Sequence, residues 1–310
     1  MRIGQNPAKA IESVRAAERV TAAVVVYIPA LAGYYAQSLD VLKACLSSLR
    51  QNAGGPLDLL VFDNASCEDV RTYLNEEHVA GNIQYLVLSE HNVGKAGAWN
   101  FIFNAAPGEF IAYADADVRF LPGWLAPHLA ALEAFPQAGM VTGLPLLTPP
   151  EFSTATVARA ESELDVHVER GRFISWEDFW RHARSLGGDE PKARAFYEAN
   201  EAVRLERNGA HYYVGAGHFQ FVARKRVLQQ VLPIPSTRPM GDVRQLDERI
   251  NAAGFLRLST PEWHVEHMGN VLPEGAAAQE LVRPRRGLRG PLRRLVQWVY
   301  DRSFEWLYRK

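Results

Sequence analysis

Asp115 and Asp117 stand two residues apart at the end of the short apolar run Phe110 to Tyr113. Side chains alternate along an extended backbone, so both carboxylates are expected on the same side. Two carboxylates converging at a strand end repel unless a cation lies between them. Oxygen-only ligands suit Mg²⁺ or Mn²⁺, with open coordination positions completed by water and phosphate oxygens. The pattern reads as a metal–diphosphate site; the plainer alternative is a polar loop.

The elements that must position this pair are legible in the apolar periodicity. Ala22 to Ile28 is a continuous apolar, β-branched run, the mark of a strand covered on both faces. Leu57 to Phe62, Ile83 to Leu88, Phe110 to Tyr113, Ala138 to Leu144 and Phe255 to Leu258 read as further strands. Between them Ser38 to Arg50, Glu68 to Glu77, Ala96 to Ala105, Leu125 to Phe135 and Asp242 to Ala253 read as helices. Alternation of this kind predicts an α/β fold, a mainly parallel sheet with helices on both faces. Ligands in such sheets bind outside the carboxyl ends of the strands. Asp63, Asn92, Asp115 and Asp117 all fall at such ends.

Ala8 to Arg19 reads as a short helix, giving an N-terminal helical segment over 1–20 before a main domain over 21–274. Residues 149–210 read as a helical insert, with Trp176, Phe179 and Trp180 on one amphipathic helix; it serves as an extra packed layer or as a cover over substrate. His211 to Ala223 alternates in a strand-like way around Gly215 and Gly217.

The 310 residues carry a net charge of −1, which argues against a nucleic-acid binder. Cys45 and Cys67 are too few for a disulfide scaffold and lack metal-ligand spacing, as fits a reducing cytoplasm. The N-terminus lacks the apolar core of a signal peptide, and no run approaches membrane-spanning length. The near-neutral total hides an asymmetry. Residues 283–310 carry nine basic and two acidic side chains, and from Leu292 an apolar helical face through Leu295, Val299 and Trp306 opposes an arginine-rich one. This basic amphipathic tail, 275–310, could lie on an anionic membrane surface, or dock on its own domain or on a sister subunit in a homo-oligomer.

Several motifs, in order, resemble the family 2 glycosyltransferases of GT-A (Rossmann-like) fold. Val24 to Pro29 resembles the first nucleotide-binding strand, although the residues after Pro29 depart from the usual pattern. Asp63-Asn64-Ala65-Ser66 is close to the family's Asp-(Asn/Asp)-x-Ser. His91 to Asn100 is similar to its Asn-x-Gly-x-x-x-(Ala/Gly)-x-Asn stretch, and Asp115-Ala116-Asp117 stands where its metal-binding pair stands. The resemblance implies a nucleotide-sugar donor, uridine-linked, and a hydroxyl acceptor on a glycan or lipid-linked glycan, with inversion. Pro29, Asp63, Asn92, Gly94, Lys95 and Asp115 are the expected donor contacts. Asp63 could accept from a pyrimidine N–H or cap the next helix, Gly94 and Gly97 could allow close backbone approach, and Lys95 could face phosphate. Asp117 is the expected direct metal ligand, with Asp115 nearer the ribose or a metal-bound water. His267, in His267-Met268-Gly269-Asn270, resembles a late metal-binding histidine, with His264 as its rival.

Inverting transfer needs a carboxylate to take the acceptor proton. The family places it before Leu-x-x-Arg-x-x-x-x-Gly, matched here by Leu246, Arg249 and Gly254. That alignment sets Asp242-Val243 against the usual acidic pair, so the second acid is missing. Asp242 is the expected base and Asp247 the fallback. The missing acid keeps open a non-catalytic nucleotide-sugar or glycan-binding module. A sugar-phosphate nucleotidyltransferase ranks lower, because no Gly-rich, Arg-containing phosphate loop follows the first strand. The enzyme is expected in the cytoplasm, peripheral on the membrane through its tail.

Overall fold

The computed structural model describes residues 5–240 and 242–272. Its strands are β1 (Val20–Val26), β2 (Asp58–Asn64), β3 (Tyr85–Ser89), β4 (Phe110–Asp115), β5 (Val118–Phe120), β6 (Ala138–Thr142), β7 (His167–Gly171), β8 (Ala202–Arg207), β9 (Ala210–Val214), β10 (Gln220–Arg224), β11 (Leu256–Ser259) and β12 (Val265–His267). Its α-helices are α1 (Ser38–Gln51), α2 (Glu68–Val79), α3 (Gly94–Ala105), α4 (Leu125–Ala134), α5 (Thr154–Ser162), α6 (Trp176–Ser185), α7 (Glu190–Ala199), α8 (Lys225–Val231) and α9 (Arg244–Ala252).

Ten strands form one mixed sheet in the order β3-β2-β1-β4-β10-β6-β11-β9-β8-β7, and β5 pairs with β12 in a separate ribbon. The half formed by β3, β2, β1 and β4 is parallel. β10 runs antiparallel between β4 and β6, β11 returns parallel to β6, and β9, β8 and β7 complete an antiparallel meander. The continuous apolar runs are explained by burial on two faces. Ala22, Val24, Leu59 and Val61 enter one core, while Ala23, Leu60 and Phe62 enter the other, against Trp99, Ile102 and Phe103 of α3. In α1, Val41, Leu42, Cys45, Leu46 and Leu49 are buried at three- and four-residue spacing, the stripe a core-facing helix requires.

Two expectations are corrected. No helix forms over Ala8 to Arg19: a single 3₁₀ turn, Pro7–Ala10, is followed by irregular chain in which Ile11 and Val14 are exposed. A short helix without a packed apolar face lacks most of what stabilises it. The 149–210 segment is only partly helical. Besides α5, α6 and α7 it contributes β7 and β8, joined by a cross-strand pair of Glu169 with Arg204. The aromatic helix is as expected: Trp176, Phe179 and Trp180 lie on α6, where Phe179 stacks on Phe196 of α7 with centroids 6.0 Å apart. The basic amphipathic tail lies outside the described residues. Among those described, no helix is long and apolar enough to cross a membrane.

Candidate active site

β4 ends at Asp115, and the chain turns through Ala116 and Asp117 before entering β5. That turn breaks the alternation, so the two carboxylates do not share one set of partners. Asp115 Oδ2 accepts from Lys95 Nζ at 2.6 Å and Oδ1 from the Tyr113 hydroxyl at 2.6 Å. The Lys95 ammonium, brought by the first turn of α3, also lies 5.2 Å from the Trp99 ring centroid. Burial, with the neighbouring Asp115 charge, pushes the Tyr113 phenol well above its ordinary pKa and keeps it a donor.

Asp117 faces the β5/β12 ribbon. Its Oδ2 lies 3.2 Å from His267 Nε2, and its carbonyl accepts the Met268 N–H. Asp117 Oδ1 and His267 Nδ1 are buried without hydrogen-bond partners among the described residues. Burial alone would lower the His267 pKa, but the hydrogen bond and charge of Asp117, with Asp115 behind it, raise it above the ordinary value. His264 points elsewhere: its ring lies 6.4 Å from that of His128, and burial lowers its pKa. The expected trio of Asp115, Asp117 and His267 is thus only partly assembled. Asp117 and His267 meet, whereas Asp115 is engaged by Lys95 and Tyr113. Among the described residues no three His, Cys, Asp or Glu side chains form a ready metal cluster.

The neighbouring strand ends complete the rim. Asp63, at the end of β2, is fully buried; it accepts from the Ser66 N–H at 3.1 Å and from Arg71 Nε at 3.0 Å. It therefore holds the loop before α2; it does not cap that helix, whose N-cap residue is Cys67 with no side-chain hydrogen bond. Asn64 reaches the next strand end, donating to Asn92 Oδ1 at 3.0 Å and accepting the Val93 N–H at 2.8 Å. Asn92 Oδ1 in turn accepts the Gly94 N–H at 2.8 Å. Gly94 has φ of +76°, and a Cβ there would lie 2.5 Å from Ser236 Oγ and 3.0 Å from the Arg238 carbonyl. The Lys95 N–H donates to the Pro239 carbonyl at 3.0 Å, so residues 236–239 lie directly over the start of α3. Pro29, just beyond β1, is exposed beside this rim. Ile28 ties it to the β2 loop by donating its N–H to Ser66 Oγ at 3.0 Å.

The two acids near α9 occupy different surroundings. Asp242 has φ of +64° and accepts from Thr237 Oγ1 at 2.9 Å, in an open depression shared with Arg238, Arg244 and Glu248. Asp247 is 5% exposed. Its Oδ1 accepts from Arg257 Nη2 at 2.7 Å and its Oδ2 from His218 Nδ1 at 2.7 Å. Arg257, 2% exposed on β11, also donates to the carbonyls of Phe152 and Ala216. His218, Asp247 and Arg257 border a cavity of about 540 Å³ with a largely apolar wall that includes Leu146, Phe179 and Phe219. His218 and Arg257 were not among the candidates from sequence. The available signal was an arginine between Leu256 and Leu258 in an otherwise apolar strand, which implies a buried acid elsewhere.

The family model for glycosyl transferase family 2 matches residues 26–183, slightly more than half of the chain. The chain belongs to glycosyl transferase family 2. The match spans β1 to α6, and so includes every strand end of the rim just described. No curated protein matches this glycosyltransferase. Solved structures similar to it include TarS 1-349 of S. aureus, with TM-score 0.48 and 10% identity over 80% of this chain and 60% of that one. Another is GalNAc-T7 with UDP, GalNAc and Mn²⁺, with TM-score 0.49 and 12% identity over 80% of this chain and 43% of that one. The glycosyltransferase spans less than two thirds of either neighbour's length.

Proposed function

We propose that this glycosyltransferase moves a sugar, with inversion, from a nucleotide-sugar donor to a hydroxyl acceptor, and that a divalent cation assists. The observation that carries this reading is the Asp117–His267 pair beside the Lys95–Asp115 pair at the end of β4. A carboxylate oxygen buried without a partner is costly, and a cation would relieve Asp117 Oδ1 of that cost. Asp117 and neutral His267 would hold it, a donor set that suits Mn²⁺ better than Mg²⁺, with remaining positions left to phosphate oxygens. Bound there, the cation supplies neutralising charge to the diphosphate as the sugar–phosphate bond breaks.

The chain's own residues do the rest. Lys95 brings an ammonium to the same rim and would pass from Asp115 to a phosphate oxygen. Gly94 lets residues 236–239 close over the start of α3, and the Asn64–Asn92 pair fixes the turn that brings Lys95 to the rim. Asp115, held by Tyr113 and Lys95 in this structure, would accept from a ribose hydroxyl once Lys95 turns away. Donor specificity for uridine, and an acceptor on a glycan or lipid-linked glycan, are part of the same proposal on the strength of the motif resemblance.

A thermal-shift screen of nucleotide sugars with and without Mn²⁺ tests the reading, because a donor that binds the native state raises the melting temperature. Product analysis then separates the chemistries. Release of nucleoside diphosphate is expected, pyrophosphate would mean nucleotidyl transfer, and no turnover would mean binding alone.

A further inference from the structure

The mouth of the cavity beside the donor rim holds a second arrangement that the donor reading does not use. His218 is the residue before Phe219, whose carbonyl accepts the Asp115 N–H at 2.8 Å. The backbone at His218 therefore lies beside the end of β4, and its ring lies 6.2 Å from that of Trp99, the same ring that Lys95 faces. Its side chain is 29% exposed and borders the cavity. Nδ1 is 2.7 Å from Asp247 Oδ2, and Asp247 Oδ1 is held by Arg257, so the carboxylate is fixed from both sides. A carboxylate at Nδ1 selects the tautomer with hydrogen on Nδ1 and leaves the Nε2 lone pair free. Among the described residues Nε2 makes no hydrogen bond within the protein.

We propose that His218, oriented by Asp247, is the general base that deprotonates the acceptor hydroxyl, and that the adjoining cavity receives the acceptor. This rests on the donor reading above. In the reaction the acceptor O–H proton passes to His218 Nε2 as the acceptor oxygen forms its bond to the anomeric carbon. The bond from that carbon to the diphosphate oxygen breaks, and its electron pair leaves with the nucleoside diphosphate. The imidazolium, stabilised by Asp247, then returns its proton to solvent. Asp247 is a positioning residue, and Arg257 holds it in place.

The geometry also explains the missing second acid before Leu246. A histidine from the segment before β10 takes the proton, and α9 contributes the carboxylate that orients it. The cavity beyond His218 has a polar mouth and an apolar wall, the form of a small-molecule site. That wall favours an acceptor whose hydroxyl is attached to an apolar or aromatic body.

Turnover is measured with a panel of UDP-, GDP- and dTDP-sugars and Mn²⁺ as release of nucleoside diphosphate, with water as the acceptor present in every assay. Binding of UDP, GDP and dTDP is measured by calorimetry on the same proteins. His218→Gln should lower kcat by roughly 10² to 10⁴, leave nucleotide affinity unchanged, and abolish the acidic limb of the kcat profile. Asp247→Asn should lower kcat less and leave nucleotide affinity unchanged, and Asp247→Glu, which keeps a carboxylate within reach of Nδ1, should recover part of the loss. Charged or titratable groups facing His218 and the cavity are Asp247 and Arg244 from α9, Arg257 from β11, His182 from α6 and Glu151 before α5. Lys95 of α3 lies across Trp99.

Unchanged kcat and an intact limb in folded His218→Gln overturn the assignment, as does their loss in Asp242→Asn, which would make Asp242 the base. Absence of nucleotide binding by the unaltered protein overturns the donor reading and this proposal together. Nucleotide binding by the unaltered protein with no turnover, or with a kcat that His218→Gln leaves unchanged, overturns the base assignment alone and leaves donor binding standing.

Discussion

His267 Nε2 lies 3.2 Å from Asp117 Oδ2, while the other oxygen of that carboxylate is buried without a partner among the described residues. Asp117→Ala should therefore abolish the Mn²⁺-dependent part of nucleoside diphosphate binding and leave the fold intact. Calorimetric titration of UDP with and without Mn²⁺ checks this. Equal affinities for the folded variant and the parent would remove Asp117 from the site.

Lys95 is 9% exposed in its side chain and bonds Asp115, which keeps a hydrogen bond from Tyr113 and some contact with solvent. Lys95→Met should cost about 2–3 kcal/mol of stability, the range for stranding a partly buried charge. It should also weaken nucleotide binding. Denaturant unfolding and the same calorimetry read both effects; a stable variant with parental affinity would mean that the ammonium is surface charge only.

Gly94→Ala is expected to act through geometry. Its positive φ disfavours a side chain, and the new Cβ would press on Ser236 Oγ and the Arg238 carbonyl. A loss of about 1–3 kcal/mol is expected, together with displacement of residues 236–239 and reduced nucleotide affinity. Crystallography or amide exchange of that segment would show whether it moves.

His128 gives a pH dependence whose sign can be worked out. Burial lowers its pKa to about 4 from an ordinary 6.5, with the Trp124 carbonyl and Gln220 as its hydrogen-bond partners. Between those values the unfolded chain binds a proton that the native state refuses. Stability is therefore complete above about pH 6.5 and falls as pH drops towards 4, by about 3 kcal/mol from this residue. His182, also lowered to about 4 by burial and the nearby His267 charge, acts in the same direction. Denaturant midpoints from pH 7 to pH 4 measure the slope, and His128→Gln should flatten it; a parental slope in that variant would exclude His128 as its source.

The basic stretch 283–310 is proposed to hold the enzyme on an anionic membrane. Each basic residue near such a surface contributes about 1 kcal/mol, so adhesion should be measurable and salt-sensitive. Liposome co-sedimentation of the full chain and of a chain ending at 274, with and without anionic lipid and at low and high salt, decides it. Indifference of the full chain to anionic vesicles, or precipitation of the shortened one, would point instead to a docked or subunit-joining segment.

How much could be read in advance depended on the range of the interactions. β1, β2 and α1 are announced by their own apolar residues, since burial on two faces or along one stripe is written into each segment. β7 and β8 escaped because their burial is incomplete and charged pairs such as Glu169–Arg204 interrupt the apolar pattern. Asp115 and Asp117 were found as a pair, but the turn that separates them depends on β12, some 150 residues further on. Likewise the His218–Asp247–Arg257 arrangement joins three elements by tertiary contacts alone. Asp247 could be singled out as an acid and Arg257 as an arginine in an apolar strand, but that the two meet, with His218, could not.

Strand β10 runs against its neighbours β4 and β6. Its entry is therefore at the same edge of the sheet as the exit of β4, and two remote stretches of chain meet there. Under the proposed function these stretches divide the labour: most donor contacts come from segments before residue 120, and the acceptor cavity comes mainly from segments after 144. Variation in the later stretch could then retarget the enzyme to new acceptors while the sugar it delivers stays the same.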